Sequence, residues 1–315
     1  MKPMSSKIVF FGNERLATGV TTQAPTLQAL IAAGYEVAAV VVAQEAPSQS
    51  RQARPLEITA IATAHGIPVI APAKLSNIKD HLAGFGASIG VLAAYGKYVP
   101  PSIIDLFPRG IINIHPSLLP KHRGPTPLES VILDGDNLTG VTLMQLAAAM
   151  DSGAIVAQDT VALRGDETKQ ALADQLLGRG KDMLIKYLPS ILDGSSQVIA
   201  QDDSQAQYDQ LITKDDGKLS DAAWQQPVAQ LERRIRAYAG WPRSRTTVGA
   251  TDIIITSAHV APGDGSPGTL CLENKSLGIH ANGGVLVIDS LIPAGKKEMS
   301  AAAFLAGYHF SQTSN

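Results

Sequence analysis

Cysteine is almost absent from this chain, with one residue, Cys271, in 315. No internal disulfide can form, and no metal centre can be built from cysteines alone. Cys271 itself suits a small buried apolar position. Aromatic residues are scarce too, at 5%, so the cores must be aliphatic, built mainly from Ala, Val, Ile and Leu. No apolar run approaches the roughly 20 residues of a membrane-spanning helix. Met1 to Ser6 leads straight into an apolar run, without the basic region and apolar core of a signal peptide. A cytoplasmic, monomeric protein with no metal and no membrane partner is expected. The closely spaced glycines of a dinucleotide fingerprint are missing: the first apolar run ends in Gly12-Asn13-Glu14-Arg15, which disfavours NAD. A surplus of positive charge is missing as well. Twenty-six basic side chains face 28 acidic ones, and from residue 208 onward ten face ten. Nucleic-acid binding would therefore need local clustering of cations.

What is present supports two domains, since 45% apolar content in 315 residues suffices for two cores. Ile8 to Phe11, Val37 to Val42, Ser88 to Ala93 and Ile111 to Ile114 read as strands. Thr26 to Ala33, Leu56 to Ala64 and Asn77 to Ala83 read as helices between them. This alternation predicts βαβ units and a parallel sheet, with ligand sites beyond the carboxyl ends of its strands. A long helical pattern covers Thr168 to Leu192, and a polar passage from Asp193 to Gln207 follows. Beyond it comes a helix, Pro227 to Tyr238, with Val228, Leu231, Ile235 and Tyr238 as an apolar stripe. Glycine-punctuated strands then fall at Thr246 to Val248, Asp252 to Ser257, Gly268 to Leu272, Leu277 to His280 and Val285 to Leu291, suggesting a small β-barrel. The predicted plan is an α/β domain over 1–190, a linker over 191–207 and a β-rich domain over 208–315.

One stretch carries chemistry: Asn113-Ile114-His115-Pro116-Ser117-Leu118-Leu119-Pro120. Side chains alternate along a strand, so Asn113 and His115 share a face at a strand's end. A donor amide beside a titratable ring can polarise a carbonyl and manage its protons. The same residues also fit a turn cap and a satisfied core histidine. Downstream, the strand pattern Gly140 to Leu146 runs into a loop holding Asp151-Ser152-Gly153. A carboxylate there could fix the tautomer and charge of His115, or simply form an Asx-turn.

Asn113, His115, the Ser-Leu-Leu-Pro run, Arg123-Gly124 and Asp151 together resemble the signature of the 10-formyltetrahydrofolate-dependent formyltransferases. Ile235-Arg236-Ala237-Tyr238-Ala239-Gly240-Trp241-Pro242, and Pro293 to Ser300 followed by Phe304 to Gly307, resemble the joining segment and end of the methionyl-tRNA branch of that family. The resemblance implies a Rossmann-like catalytic domain, an OB-like C-terminal domain, 10-formyltetrahydrofolate as co-substrate and methionyl initiator tRNA as partner. A nucleotide-linked amino sugar or other small amine is the alternative acceptor.

It also implies roles. Asn113 and His115 would stabilise the developing oxyanion, a donor of this kind being worth about 10²–10³ in rate, and Asp151 would support the imidazole and relay protons. Ser117, Leu118, Leu119 and Pro120 would form one wall of the folate pocket, and Leu92, Ala94 and Tyr95 the other. Candidate tRNA contacts are Arg51, Arg54, Arg233, Arg234, Arg236, Lys296 and Lys297. Two loops depart from the family pattern. Gly12 to Leu16 lacks the usual Gly-Thr-Pro run, and Gln44 to Pro55 keeps two arginines of a normally basic, glycine-rich insertion.

Overall fold

The computed structural model describes residues 7–13, 20, 25–43, 57–273 and 276–307. They fall into two compact units. The first is drawn from Met1–Leu128, Leu138–Leu163 and Gln170–Gln210, the second from Glu129–Asn137, Arg164–Lys169 and Leu211–Asn315.

The first unit alternates strand and helix: β1 (Ile8–Phe11), α1 (Pro25–Ala32), β2 (Val37–Val41), α2 (Glu57–Ala64), β3 (Val69–Ile70), α3 (Lys79–Gly84), β4 (Ile89–Ala93), α4 (Pro101–Ile104) and β5 (Ile111–His115). Then come α5 (Pro127–Asp134), which from Glu129 on belongs to the second unit, and β6 (Leu138–Gln145), β7 (Ile155–Ala162) and α6 (Lys169–Asp193). The seven strands lie in the order β3-β2-β1-β4-β5-β6-β7. The first five run parallel, as the alternation requires. β6 and β7 are antiparallel additions, so the sheet is mixed at one side. A helix-free connection can join antiparallel neighbours, and residues 146–154 between β6 and β7 are such a connection.

β1, β4 and β5 are buried along their whole length, which is why β1 and β4 carry no polar side chain. On one face Ile112, Ile114, Val141 and Leu143 pack with Leu177, Leu184 and Ile191 of α6. The other face gathers Val9, Phe11, Leu92 and Ile111 with Leu82 and Ile103. Asn113 and His115 alternate with Ile112 and Ile114 and so project to the Ile111 side.

The second unit contains α7 (Asp221–Trp224), α8 (Val228–Ala237), β8 (Ser244–Val248), β9 (Thr251–Ala261), β10 (Leu270–Glu273), β11 (Ser276–Ala281), β12 (Gly284–Pro293), β13 (Met299–Ser300) and α9 (Ala301–Gly307). Its antiparallel sheet runs β10-β11-β12-β9-β8, with β13 also on β12. Register breaks between β9 and β12 around Ser290 bend the pair in the manner of bulges, and the result is a half-barrel. Val228, Leu231 and Ile235 of α8 are buried in its core with Val248, Ile253, Leu277 and Phe304, so the apolar stripe expected on that helix is the packed face.

Residues 191–207, read from their polarity as a linker, belong to the first unit instead. Ile199 exchanges backbone hydrogen bonds with Ile155 at the start of β7, both at 2.8 Å, and the backbone amide of Arg123 donates to the Gln207 carbonyl at 2.8 Å. Polarity misleads here because this strand-like stretch is held by backbone pairing rather than by burial of its side chains. Among the described residues no helix is long and apolar enough to cross a membrane.

Candidate active site

Backbone geometry singles out the loops around β5. Among the described residues four non-glycines have positive φ, and three of them, Ala94 at +49°, His122 at +58° and Asp151 at +48°, lie in the loops after β4, β5 and β6. Such conformations cost on the order of 1–3 kcal/mol each and persist where surrounding contacts over-determine them. Close approach is enforced as well. A Cβ on Gly12 would lie 2.3 Å from the Ala93 carbonyl oxygen, and one on Gly153 would lie 1.7 Å from that of Gln145. Only glycine lets these loops meet.

Asn113 and His115 stand at the carboxyl end of β5, 7% and 5% exposed. Asn113 pairs in register with Leu92 on β4 and Met144 on β6. Its carboxamide makes no hydrogen bond to another described residue, so a buried donor is held open toward whatever binds beside it. His115 is fixed from both sides. Its Nε2–H donates to the carbonyl oxygen of His122 at 2.8 Å. Nε2 therefore keeps its proton, and Nδ1 is the nitrogen that gains or loses one. Nδ1 faces the Asp151 carboxylate, with Oδ2 at 3.8 Å. That separation is too long for a direct hydrogen bond and suits a bridging water or substrate atom. The same Oδ2 accepts the backbone N–H of Gly124 at 2.8 Å.

The loop after β5 is held by a buried hydroxyl. Thr142 Oγ1 donates to the Ser117 carbonyl at 2.7 Å and accepts the amide of Leu119 at 3.2 Å. The Gln158 carboxamide donates to that hydroxyl at 2.9 Å and to the Leu119 carbonyl at 2.8 Å. Ser117 turns its own hydroxyl inward, onto the Lys121 carbonyl at 2.7 Å. Leu118 and Pro120 are half-buried while Ser117 and Leu119 are buried, and the Leu119–Pro120 peptide is cis.

Beyond this shell the chain from 201 to 210 returns to the site. Arg123 is 1% exposed and donates to Gln201 Oε1 at 3.1 and 2.8 Å, to Asp203 at 2.7 Å and to the Tyr208 hydroxyl at 2.8 Å. Burial alone would pull its pKa down, but the bonds to Asp203 and Tyr208 outweigh it and hold the guanidinium above its ordinary value. The His122 Nδ1–H donates to Asp209 Oδ1 at 3.0 Å. Among the described residues no group of three or more His, Cys, Asp or Glu is placed to hold a metal.

The family model for formyl transferases matches residues 6–188, and that for the formyl transferase C-terminal domain matches residues 211–309. The chain belongs to the formyl transferase family. Its relatives include the methionyl-tRNA formyltransferase of Chloroflexus aggregans, 36% identical over 311 residues, covering 96% of this chain and 97% of the relative. That of Methylococcus capsulatus is 36% identical over 305 residues, covering 95% and 96%. Among solved structures, the sugar 3N-formyl transferase WlaRD, determined in the presence of dTDP and 5-N-formyl-THF, superposes with a TM-score of 0.66 at 17% identity. It covers 93% of this chain and 100% of that one. An N-formyltransferase from Helicobacter canadensis gives 0.65 at 16% identity, covering 90% and 98%. At these identities the structural likeness concerns the fold alone.

In this formyl transferase the structure brings Asn113, His115, Asp151 and the Ser117 to Pro120 loop together at one end of the sheet. Leu92 adjoins them through its pairing with Asn113, and Ala94 is half-buried at the turn after β4. Tyr95 is 3% exposed and its ring packs edge-on against Phe11, centroids 5.9 Å apart. Burial pushes its hydroxyl up to about 12, and the ring is a core element rather than an open wall.

The three arginines of α8 do other work than the sequence suggested. Arg233 donates to the Leu133 carbonyl at 3.0 Å. Arg234 donates to the carbonyls of Asp216 and Lys218 and covers the Tyr238 ring. Arg236 pairs with Glu232 at 2.6 Å and donates to the Glu167 carbonyl at 2.9 Å. All three are half-buried, because backbone carbonyls lie opposite the helix face that the apolar stripe leaves polar. Lys296 and Lys297 are exposed in the turn after β12, and neither pairs with a described carboxylate. Arg51 and Arg54 lie outside the described residues. Sequence reading missed Gln201, Asp203, Tyr208 and Asp209; nothing beyond the polarity of their stretch pointed to them.

Proposed function

We propose that this formyl transferase moves the formyl group of 10-formyltetrahydrofolate onto the free amino group of methionyl initiator tRNA, for translation initiation. The observation that carries the proposal is the likeness to methionyl-tRNA formyltransferases over 95% or more of the chain, both units included. The residues at the end of β5 fit a formyl donor. A buried carboxamide without a hydrogen-bond partner among the described residues matches a carbonyl that must accumulate negative charge, and no covalent enzyme intermediate is needed.

10-Formyltetrahydrofolate supplies the formyl carbon and a leaving nitrogen. Asn113 donates to the formyl oxygen as the amine attacks and the carbonyl becomes an alkoxide. His115, with Nε2–H anchored on His122, presents Nδ1 as the exchangeable position beside Asp151. Asp151 accepts the proton released by the attacking amine, directly or through one water, and the His115 Nδ1–H supplies the proton that the departing nitrogen takes up. The C–N bond to folate breaks as the amide forms, and protons balance between the two residues. Ser117 to Pro120, with Leu92, Ala94 and the backbone at Tyr95, form the walls that orient the donor. On the second unit, Lys296 and Lys297 are the exposed cations of choice for tRNA phosphates; Arg51 and Arg54 are candidates from the sequence alone. The three α8 arginines are committed to carbonyls and are left out.

The test is direct. The protein is incubated with 10-formyltetrahydrofolate and, in separate reactions, methionyl initiator tRNA or nucleotide-linked amino sugars, and the formylated products are counted. Formylmethionyl-tRNA is the expected product. Formylated sugar with no formylmethionyl-tRNA would overturn the reading.

A further inference from the structure

We propose that Gln201 is a positioning residue for the Asp151–His115 pair, so that formyl transfer depends on a side chain from the stretch that follows α6. The inference rests on the catalytic reading above and extends it. Gln201 is half-buried and uses both ends of its carboxamide. Oε1 accepts two N–H groups of Arg123, at 3.1 and 2.8 Å. Nε2 donates to the carbonyl oxygens of Asp151 at 2.8 Å and Gly153 at 2.7 Å. The amide can face only one way. Reversed, its NH₂ would meet a guanidinium and its oxygen would meet two carbonyls.

These contacts bear on the backbone that carries the carboxylate. Asp151 holds a left-handed backbone, φ +48°, which needs external support to persist. Gln201 pins the carbonyls of residues 151 and 153 on either side of Ser152, and Gly124 N–H pins Oδ2, the oxygen that faces His115 Nδ1. Arg123 in turn is immobilised by Asp203 and Tyr208, and its backbone is bonded to the 207–209 segment: Arg123 N–H donates to the Gln207 carbonyl and Asp209 N–H to the Arg123 carbonyl. The chain from Arg123 through Gln201 to Asp151 is thus a continuous set of hydrogen bonds ending on the backbone carbonyl of the residue that carries the general base.

Gln201→Glu isolates the claim. It keeps, and strengthens, the bond to Arg123 while placing an oxygen against the two carbonyls. The expected result is a fall in kcat of about 10–100-fold, as for other supporting residues whose loss costs such factors. KM for both substrates should stay within about threefold, the melting temperature should be near native, and the acidic limb of the kcat pH profile should be displaced. On an Asp151→Asn background the same change should add less than about twofold, because both act through one carboxylate. Gln201→Ala should lower kcat similarly, with some loss of stability. A native kcat and pH profile in Gln201→Glu, or an effect that multiplies fully with Asp151→Asn, would overturn the inference. His115→Ala separates the two levels: if it retains turnover, the site reading fails; if it loses turnover while Gln201→Glu does not, only the role of Gln201 fails.

Discussion

Replacing Asn113 with alanine should damage catalysis and leave the fold almost untouched, and the structure gives a size for both halves. The carboxamide has no hydrogen-bond partner among the described residues, so its removal strands no donor or acceptor, and stranding is what makes most buried polar deletions costly. The stability change should stay within about 1 kcal/mol, a shift of roughly 2–4 °C in melting temperature for a unit of this size. The catalytic loss is of another order. Removing one donor aimed at a developing oxyanion costs about 2.7–4 kcal/mol, or 10²–10³ in kcat. Asn113→Asp keeps the shape but presents an acceptor to the same oxygen, and should lose at least as much. Steady-state formylation of methionyl-tRNA, run beside thermal melts of the same samples, measures both. Turnover within about threefold of native in Asn113→Ala would refute the oxyanion role. So would a drop of more than about 10 °C accompanying the lost activity, since that would make the carboxamide structural.

Thr142→Val removes the hydroxyl that joins Ser117, Leu119 and Gln158, three hydrogen bonds of about 0.5–1.5 kcal/mol each; a rise in KM for the folate larger than the fall in kcat, with a lower melting temperature, is expected. Lys169 and Glu129 form an ion pair at 3.2 Å with both residues 2% exposed, and Lys169→Met should cost about 3–5 kcal/mol by leaving a buried carboxylate alone, while Lys169→Met with Glu129→Leu should recover most of it. Burial outweighs Glu129 and lowers the Lys169 pKa below its ordinary 10.5, so between the folded value and 10.5 the unfolded chain holds the extra proton and stability from this group rises with pH; urea midpoints across that alkaline window should show the rise in the native protein and not in Lys169→Met. Replacing Lys296 and Lys297 together with serine should weaken tRNA binding and flatten its dependence on salt without changing kcat at saturating substrate; an unchanged salt slope would remove both lysines from the tRNA path.

How much of this was legible beforehand depends on the range of the interaction. Asn113 and His115 were placed correctly because alternation along a strand is a two-residue rule, and Ile111 to Ile114 is an unambiguous buried run. The β-strands of the second unit and the packed stripe of α8 followed from equally local periodicities. The antiparallel direction of β6 and β7 did not, since an apolar run does not say which way its neighbour points. The Arg123–Gln201 contact joins residues 78 apart in sequence with no periodicity to betray it. Polar residues between two domains look the same whether they are solvated or stitched into a site. The arginines of α8 misled for a related reason: a charge off the apolar stripe signals a polar surrounding, and backbone carbonyls satisfy that as well as solvent does.

The return of residues 199–210 to the first unit bears on how such a chain can be cut and recombined. A catalytic fragment ended near 190, where the composition changes, would lose Gln201, Asp203, Tyr208 and Asp209 together. It would leave the buried Arg123 guanidinium without its acceptors and His122 without Asp209. A cut that keeps these contacts of the first unit whole, whether in the laboratory or through gene rearrangement, therefore falls after Gln210 rather than near 190. A catalytic module that carries its own lock must keep the tail that looks, in the sequence, like a mere tether.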